Sequence, residues 1–390
     1  MVTSQEKKRP VLICWFDALP RASAGSFHYL ESAWKQKVIF LVMHDMDEAH
    51  RKIGWKDHIY PNEVIVLSRE SNPDQKVQSL LAKYPDAIHY MNGFRSESRP
   101  YLFRYLLTDR KYKLVLWSEI PNLISPAQGK RGSWLRLWGI YLLYSLFTLR
   151  YQKRIAGYMP LGQVGVKLFK RFGWNEKKLF PSMYCPLNLG ETQKKKPWLP
   201  GARVRFAYFG RFSRVKGVDM LPTVFSNLGQ QNWSLDLFGA NGNFETELIK
   251  WAETEKRVRY CGTCPSDEVI SHITDYDVIV VPSRYEGWNL LPNESFLASV
   301  GVIASDATVS HELIEASGGG IVFSAGKVGE FQKAVEQVLT NPELINIWHE
   351  RVSNYQPRIL PQRIAEYWVD VLDYLCVNTE RKRPECPWYP

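Results

Sequence analysis

Two sets of short apolar runs, each run separated from the next by a helix-length segment, constrain the fold of this chain more than any single residue does. The first set occupies residues 11–16, 38–42, 64–67, 87–90 and 114–117; the second occupies 205–209, 235–238, 258–260, 277–281, 302–304 and 320–323. Strands buried on both faces read as continuous apolar runs, and crossover helices between them make the sheet parallel. The expected fold class is therefore α/β, with two Rossmann-like, doubly wound domains. A chain of 390 residues is too long for one compact core and suits two. The pattern breaks at residues 188–200, where Lys194, Lys195 and Lys196 lie among polar residues and prolines. This predicts a first domain over 1–187, a linker over 188–200, a second domain over 201–360, and a C-terminal helix and tail over 361–390. Ligands of such sheets bind outside the carboxyl ends of the strands, so two facing sheets hold their substrates in the cleft between them.

Composition narrows the class of partner without choosing it. Fifty Lys and Arg against 40 Asp and Glu leave a formal charge of +10, which favours an anionic partner: a phosphorylated substrate, an acidic membrane surface or nucleic acid. No nucleic-acid motif accompanies the charges, so nucleic acid is not expected. The six cysteines are scattered without the spacing of a disulfide scaffold, which fits a reducing compartment. Cys261 and Cys264 have the spacing of a metal knuckle but no second pair of ligands. The apolar run at 11–16 is too short for a secretory signal, and a cytoplasmic location is expected.

Chemistry concentrates in two turns of the second half. In the segment Tyr285-Glu286-Gly287-Trp288-Asn289-Leu290-Leu291-Pro292-Asn293-Glu294, two carboxylates lie across a glycine turn that leaves a buried strand and enters a helix, with Pro292 near the first helical position. Unpaired amides at such a helix start can receive an anion such as a diphosphate. In Gly210-Arg211-Phe212-Ser213-Arg214-Val215-Lys216-Gly217, glycines let the backbone approach a ligand, and Arg211 and Lys216 bring two positive charges to the same turn. A solvated basic loop would explain either pair alone; both turns at one end of one sheet point to phosphate binding.

The ordered set Gly210-Arg211, Lys216-Gly217, Phe238-Gly239, Tyr260-Cys261-Gly262 and Val281-Pro282-Ser283-Arg284-Tyr285-Glu286-Gly287 followed by Glu294 resembles the carboxyl-terminal domain of the family 4 retaining glycosyltransferases, over about residues 203–375. The first half resembles that family only in its rhythm of strands and helices. The resemblance implies a GT-B fold, a nucleotide diphosphate sugar as donor, no cofactor, and a final helix returning to the first domain. It implies that Glu294 accepts hydrogen bonds from both ribose hydroxyls, that Arg211 and Lys216 hold the diphosphate, and that the amides near Leu290 and Leu291 add to this. Glu286 would hold hydroxyls of the donor sugar, with Gly210, Gly239, Gly287 and Asn289 completing the donor side. Asn289 stands where the family often has a glycine. Glu119 occupies the place of a family histidine at a first-domain strand end, as acceptor base, sugar ligand or only a helix-capping carboxylate. Gly25 and Ser26 follow the first strand and are expected on the acceptor side of the cleft.

Two Asp-x-Asp sequences, Asp45/Asp47 and Asp275/Asp277, invite a metal reading. The cations at the diphosphate already supply what magnesium would, and a metal-independent transferase is expected. Residues 134–149 are apolar and aromatic with basic residues before and after, and further cations follow up to Lys178. The run is shorter than the ~20 residues a spanning helix needs. It fits either an interfacial helix that seats residues 130–178 on the cytoplasmic membrane surface or a crossover helix buried in the first domain. The expected activity is transfer of a sugar to a hydroxyl of a glycan acceptor, lipid-linked or destined for the cell envelope. A nucleotide-sugar epimerase and a non-catalytic nucleotide-sugar-binding subunit are the alternatives.

Overall fold

The computed structural model describes residues 9–19, 22–45, 60–121, 124–125, 130–131, 134–187, 196–229 and 231–389. The first sheet contains β1 (Leu12–Phe16), β2 (Val38–Val42), β3 (Glu63–Val66), β4 (Ile88–Asn92) and β5 (Lys113–Ser118). A two-strand hairpin follows, β6 (Ile124–Ser125) with β7 (Lys130–Arg131), and then β8 (Gly157–Pro160). The order is β3-β2-β1-β4-β5-β8, all parallel. Strand β8 is absent from the sequence expectation. Its four residues end in proline, and their pairing with Val115–Ser118 comes from tertiary context at a sheet edge, where proline is tolerated.

The second sheet contains β9 (Val204–Phe209), β10 (Trp233–Phe238), β11 (Val258–Tyr260), β12 (Val278–Val281), β13 (Gly301–Ser305) and β14 (Gly320–Phe323). Its order, β11-β10-β9-β12-β13-β14, is again all parallel and repeats that of the first sheet. In each sheet the strand order reverses beside the first strand, between β1 and β4 and between β9 and β12. Such a switch point leaves a crevice at the strand ends for a ligand.

Residues 188–195 of the expected linker lie outside the described residues, as does Asp47. Trp198 is already docked on the second domain: its backbone N–H donates to Asn346 Oδ1 (2.8 Å) and its carbonyl accepts from Asn346 Nδ2 (3.1 Å).

The last long helix, Pro361–Cys376, packs on the first domain. Trp368 meets Phe27 of the helix Ala24–Trp34 with ring centroids 4.8 Å apart. Lys113 Nζ donates to Cys376 O (2.7 Å) and Arg9 Nε to Asp373 Oδ1 (3.0 Å). Truncating a buried aromatic of this size costs about 3–5 kcal/mol, so the crossing helix belongs to the core of the first domain. A second tie joins the domains: Glu312, on the helix His311–Ser317, accepts the amides of Gln163 (2.8 Å) and Val164 (2.7 Å) at the start of the helix Gly162–Arg171. A carboxylate suits those unpaired amides, and the Tyr389 hydroxyl also donates to it.

Candidate functional site

At the carboxyl end of the second sheet, the ends of β9, β10 and β11 converge through backbone alone. Gly210 N donates to Phe238 O (2.9 Å) and Gly239 N to Gly262 O (2.8 Å). Gly239 has φ 156°, and a Cβ there would lie 1.9 Å from Gly210 O, so no larger residue fits. Arg211 leaves this crossing with an exposed side chain that makes no hydrogen bond or ion pair to a described residue. A short turn, Arg214–Lys216, ends at Gly217, whose φ is 72° and whose added Cβ would lie 1.8 Å from Pro282 O. The basic turn is thereby pressed against the segment that leaves β12, and Lys216 comes within reach of Glu286.

Glu286 Oε1 forms an ion pair with Lys216 Nζ and accepts from Ser283 Oγ and Asn289 Nδ2, each at 3.2 Å. Asn289 also uses its Oδ1 to accept the Leu291 amide (2.9 Å) at the start of the helix Leu291–Leu297, so that amide is already capped by a side chain. Glu294 sits in the first turn of the same helix at 8% exposure. Its carboxylate has no hydrogen-bond partner among the described residues, and burial pushes its pKa up to about 8.

Gly210, Arg211, Lys216, Gly239, Asn289, Leu290, Leu291 and Glu294 all line one cavity of about 330 Å³. Its wall also holds Phe209 and Phe238, stacked with centroids 4.5 Å apart. Glu286 and Gly287 do not line this cavity; they stand at its edge, toward the first domain. Two cations, a partnerless buried carboxylate and an apolar wall in one hollow suit a guest that carries phosphates, vicinal hydroxyls and a flat ring.

The first domain answers across the cleft with Glu119, just beyond β5. Glu119 Oε1 accepts from the Tyr184 hydroxyl (2.6 Å), and Oε2 lies 2.4 Å from where a Cβ on Gly287 would be. A side chain at position 287 would therefore displace the Glu119 carboxylate from its present place beside the turn. The Glu119 carboxyl keeps an open edge to the cleft although both domains crowd it. Desolvation raises its pKa above the ordinary carboxylate value; the Tyr184 bond opposes the rise, Glu286 adds to it and Lys216 reduces it.

A second cavity of about 390 Å³ opens beside Glu119, lined by first-domain residues that include Asp17, Asn92, Arg95 and Tyr184. Gly25 and Ser26, expected to face the cleft, do not line this cavity and are buried instead. Gly25 donates its amide to Cys185 O (3.1 Å), and a Cβ there would meet Pro186 O at 2.3 Å. Ser26 is fully buried and its hydroxyl turns back to Ser23 O. These two residues pack the helix start against residues 185–186.

Among the described residues, no three His, Cys, Asp or Glu side chains gather as a metal site. Asp277 is held by the amide and guanidinium of Arg205, and Asp45 by Arg69. Cys264 lines the 330 Å³ cavity. Tyr184, Asn92 and Arg95 escape a sequence reading because nothing local marks them. Asp17 carries a signal that was available: it is the first polar residue after the first strand, at the switch point.

Residues 190–355 match the family described as glycosyl transferases group 1. The chain is 28% identical over 176 residues to the lipopolysaccharide core biosynthesis mannosyltransferase LpcC of Rhizobium leguminosarum bv. viciae, covering 42% of this chain and 48% of that protein. It spans less than half the length of the curated relatives it matches. Over nearly its whole length it superposes on solved structures. A glycosyltransferase from Rickettsia africae gives a TM-score of 0.69 at 12% identity, covering 95% of this chain and 100% of that one. Anabaena Alr3699/HepE in complex with UDP gives 0.65 at 14% identity, covering 92% and 98%. Two parallel-sheet domains facing a cleft are the GT-B fold, and these likenesses establish it for this chain.

Proposed function

We propose, from the premise that this chain carries a glycosyl transferases group 1 domain within a GT-B fold, that it is a metal-independent retaining hexosyltransferase. The donor is a nucleotide diphosphate sugar, and the acceptor is a hydroxyl of an envelope or lipid-linked glycan. The observation that carries this reading is one hollow in which Arg211, Lys216 and the partnerless Glu294 meet, with Glu286 at its edge and Glu119 facing it from the other domain. The named activities of relatives support the same class: LpcC is a lipopolysaccharide core mannosyltransferase, and HepE is solved with UDP and with UDP-glucose.

In this reading Glu294 accepts both ribose hydroxyls, which a carboxylate can do bidentately. Arg211 and Lys216 take the diphosphate. As the bond from the anomeric carbon to the phosphate oxygen breaks, its electrons pass to that oxygen, and fixed cations stabilise the developing charge more than the ground state. The acceptor oxygen bonds to the same face of the carbon and its proton goes to the departing phosphate oxygen, so configuration is retained. Glu286 exchanges its ammonium partner for donor-sugar hydroxyls, and Glu119 orients the acceptor hydroxyl.

The test is a thermal-shift panel of nucleotide sugars followed by turnover in excess chelator. One nucleotide sugar raises the melting temperature, is slowly hydrolysed without added metal, and gives a transferred sugar of unchanged anomeric configuration by NMR. No stabilisation by any nucleotide sugar, or an inverted product, would sink the proposal.

The membrane surface is the second part of the proposal. In the helix Trp134–Tyr151 only Tyr144, Phe147 and Thr148 are buried. Phe147 stacks on Phe94 at 3.9 Å, while Trp134 (67% exposed), Trp138 (63%) and Leu142 (58%) face outward. The helix is therefore a buried crossover only on its inner side. No helix among the described residues is long and apolar enough to cross a membrane. An apolar, tryptophan-bearing face flanked by Arg150, Lys153, Lys167 and Lys170 suits the interface of an anionic cytoplasmic leaflet. Replacing Trp134 and Trp138 together by serine is expected to lower co-sedimentation with anionic vesicles at least fivefold. Turnover on a water-soluble acceptor is expected to stay within twofold.

A further inference from the structure

The hollow beside Glu119 carries information about what the acceptor is. Asp17 Oδ1 accepts the amides of Glu97 (3.0 Å) and Ser98 (3.4 Å), which leaves Oδ2 without a partner among the described residues. Asn92 has the same division of labour: Oδ1 accepts from Gly93 N (3.0 Å), and its amide N–H₂ makes no bond to a described residue. Glu119 is fixed by Tyr184 through one oxygen only. Three side chains are therefore each anchored by one atom and open at another, and all line the same cavity.

The open atoms are two carboxylate oxygens and an amide donor, set beside the Tyr184 ring. Carboxylates and side-chain amides with an aromatic flank complement vicinal hydroxyls, which both donate and accept. Among the described residues Arg95 is the one cation of the lining, and its charge lies close enough to the Tyr144 phenol to oppose the rise that burial gives that phenol's pKa. Among the described residues, an anionic guest would meet Asp17 and Glu119 with Arg95 alone to offset them. Burial raises the pKa of both acids, so each gains from hydroxyl donors that replace lost water. The volume is at the small end of ligand pockets, about 300–1,000 Å³.

We infer that this cavity binds a hexopyranose unit of the acceptor, with Asp17 and Asn92 as the residues that select it. The inference rests on the transferase reading and deepens it. The enzyme then extends a glycan that already carries a sugar, rather than placing the first sugar on a bare lipid phosphate. A preceding glycosyl transfer must supply the acceptor.

The test uses the full chain with UDP present and a panel of methyl hexopyranosides at millimolar concentration, read by saturation-transfer NMR. A prenyl monophosphate serves as the competing probe. At least one pyranoside is expected to receive saturation, with the signal lowered at least tenfold by Asp17→Asn. That change keeps an oxygen for the amides of Glu97 and Ser98 but removes the charge. Asn92→Ala provides a second variant with the same expectation, and the rise in melting temperature with UDP reports that each variant is folded. Saturation that ignores both substitutions, or a prenyl monophosphate that displaces the pyranoside more strongly than free sugar does, would overturn the inference. If nucleotide sugars bind and are hydrolysed but no pyranoside is bound, the acceptor inference fails and the transferase survives. If no nucleotide sugar binds, the transferase reading itself has failed.

Discussion

Lys216→Ala lowers kcat by roughly 10²–10³-fold, a loss of about 3–4 kcal/mol of transition-state stabilisation, with the donor KM rising less than tenfold. The ammonium is placed to act on charge that appears only as the phosphate leaves, and Arg211 with the rest of the cavity still binds the ground state. Lys216 is paired with Glu286, and both side chains are partly exposed, at 30% and 13%. Removing the pair therefore changes stability by under about 1 kcal/mol. Lys216→Arg keeps the charge but presents a planar fork in place of a compact ammonium and restores only part of the rate. Steady-state kinetics with thermal melts alongside separates these effects; a kcat within threefold of wild type in Lys216→Ala would remove the lysine from the reaction.

Glu294→Gln stabilises the empty protein at pH 8 while weakening nucleotide binding roughly 10–100-fold. The carboxyl is nearly buried, and its pKa rises from 4.5 to about 8. Below pH 4.5 the group is neutral whether the chain is folded or not, and it has no effect on stability through this linkage. As pH rises through the interval from 4.5 to 8, the unfolded chain ionises first and the folded state is progressively disfavoured, by on the order of 4 kcal/mol at pH 8. A neutral glutamine removes that penalty but retains the cost of a buried amide, about 1–3 kcal/mol. The melting temperature of the variant therefore exceeds that of the wild type at pH 8, and the gap closes toward pH 4.5.

Binding follows the opposite logic. Two ribose hydroxyls stabilise the ionised form, so the nucleotide takes up the carboxylate and releases a proton. Affinity for a nucleotide diphosphate sugar, which does not itself titrate in this range, rises by up to about tenfold per unit between pH 6 and 8 and levels above 8. In Glu294→Gln this slope disappears. Titration calorimetry in buffers of different ionisation heat measures the proton directly; a wild-type profile that is flat from pH 6 to 8 would rule out Glu294 as the hydroxyl acceptor.

That Gly210, Arg211, Lys216 and Glu294 share one cavity was legible because they are placed locally. The first three leave one strand and Glu294 opens the helix after another, so strand ends in a doubly wound sheet brought them together without knowledge of side-chain packing. Glu286 was readable as an acid of this turn, but its separation from the lining and its bond to Lys216 depend on how two loops press together at Gly217. Across the cleft the sequence was less transparent. Asp17, Asn92 and Tyr184 come from three distant segments with no shared motif, and only the packed first domain assembles them. Gly25 and Ser26 carried the composition of a ligand loop, yet tertiary contact with residues 185–186 buried them. The helix Trp134–Tyr151 was ambiguous because periodicity reveals an apolar side but not what covers it.

The crossing helix has a consequence for how the protein is made. Phe27 meets its partner Trp368 only after more than three hundred intervening residues have left the ribosome, so the first domain cannot close its core while it emerges. Domains of nascent chains usually condense in the order of their synthesis. Here the apolar surface of the helix Ala24–Trp34 stays uncovered until residues 361–376 have been made and come back to seal it. That delay leaves an unsealed apolar surface for chaperones to shield during translation.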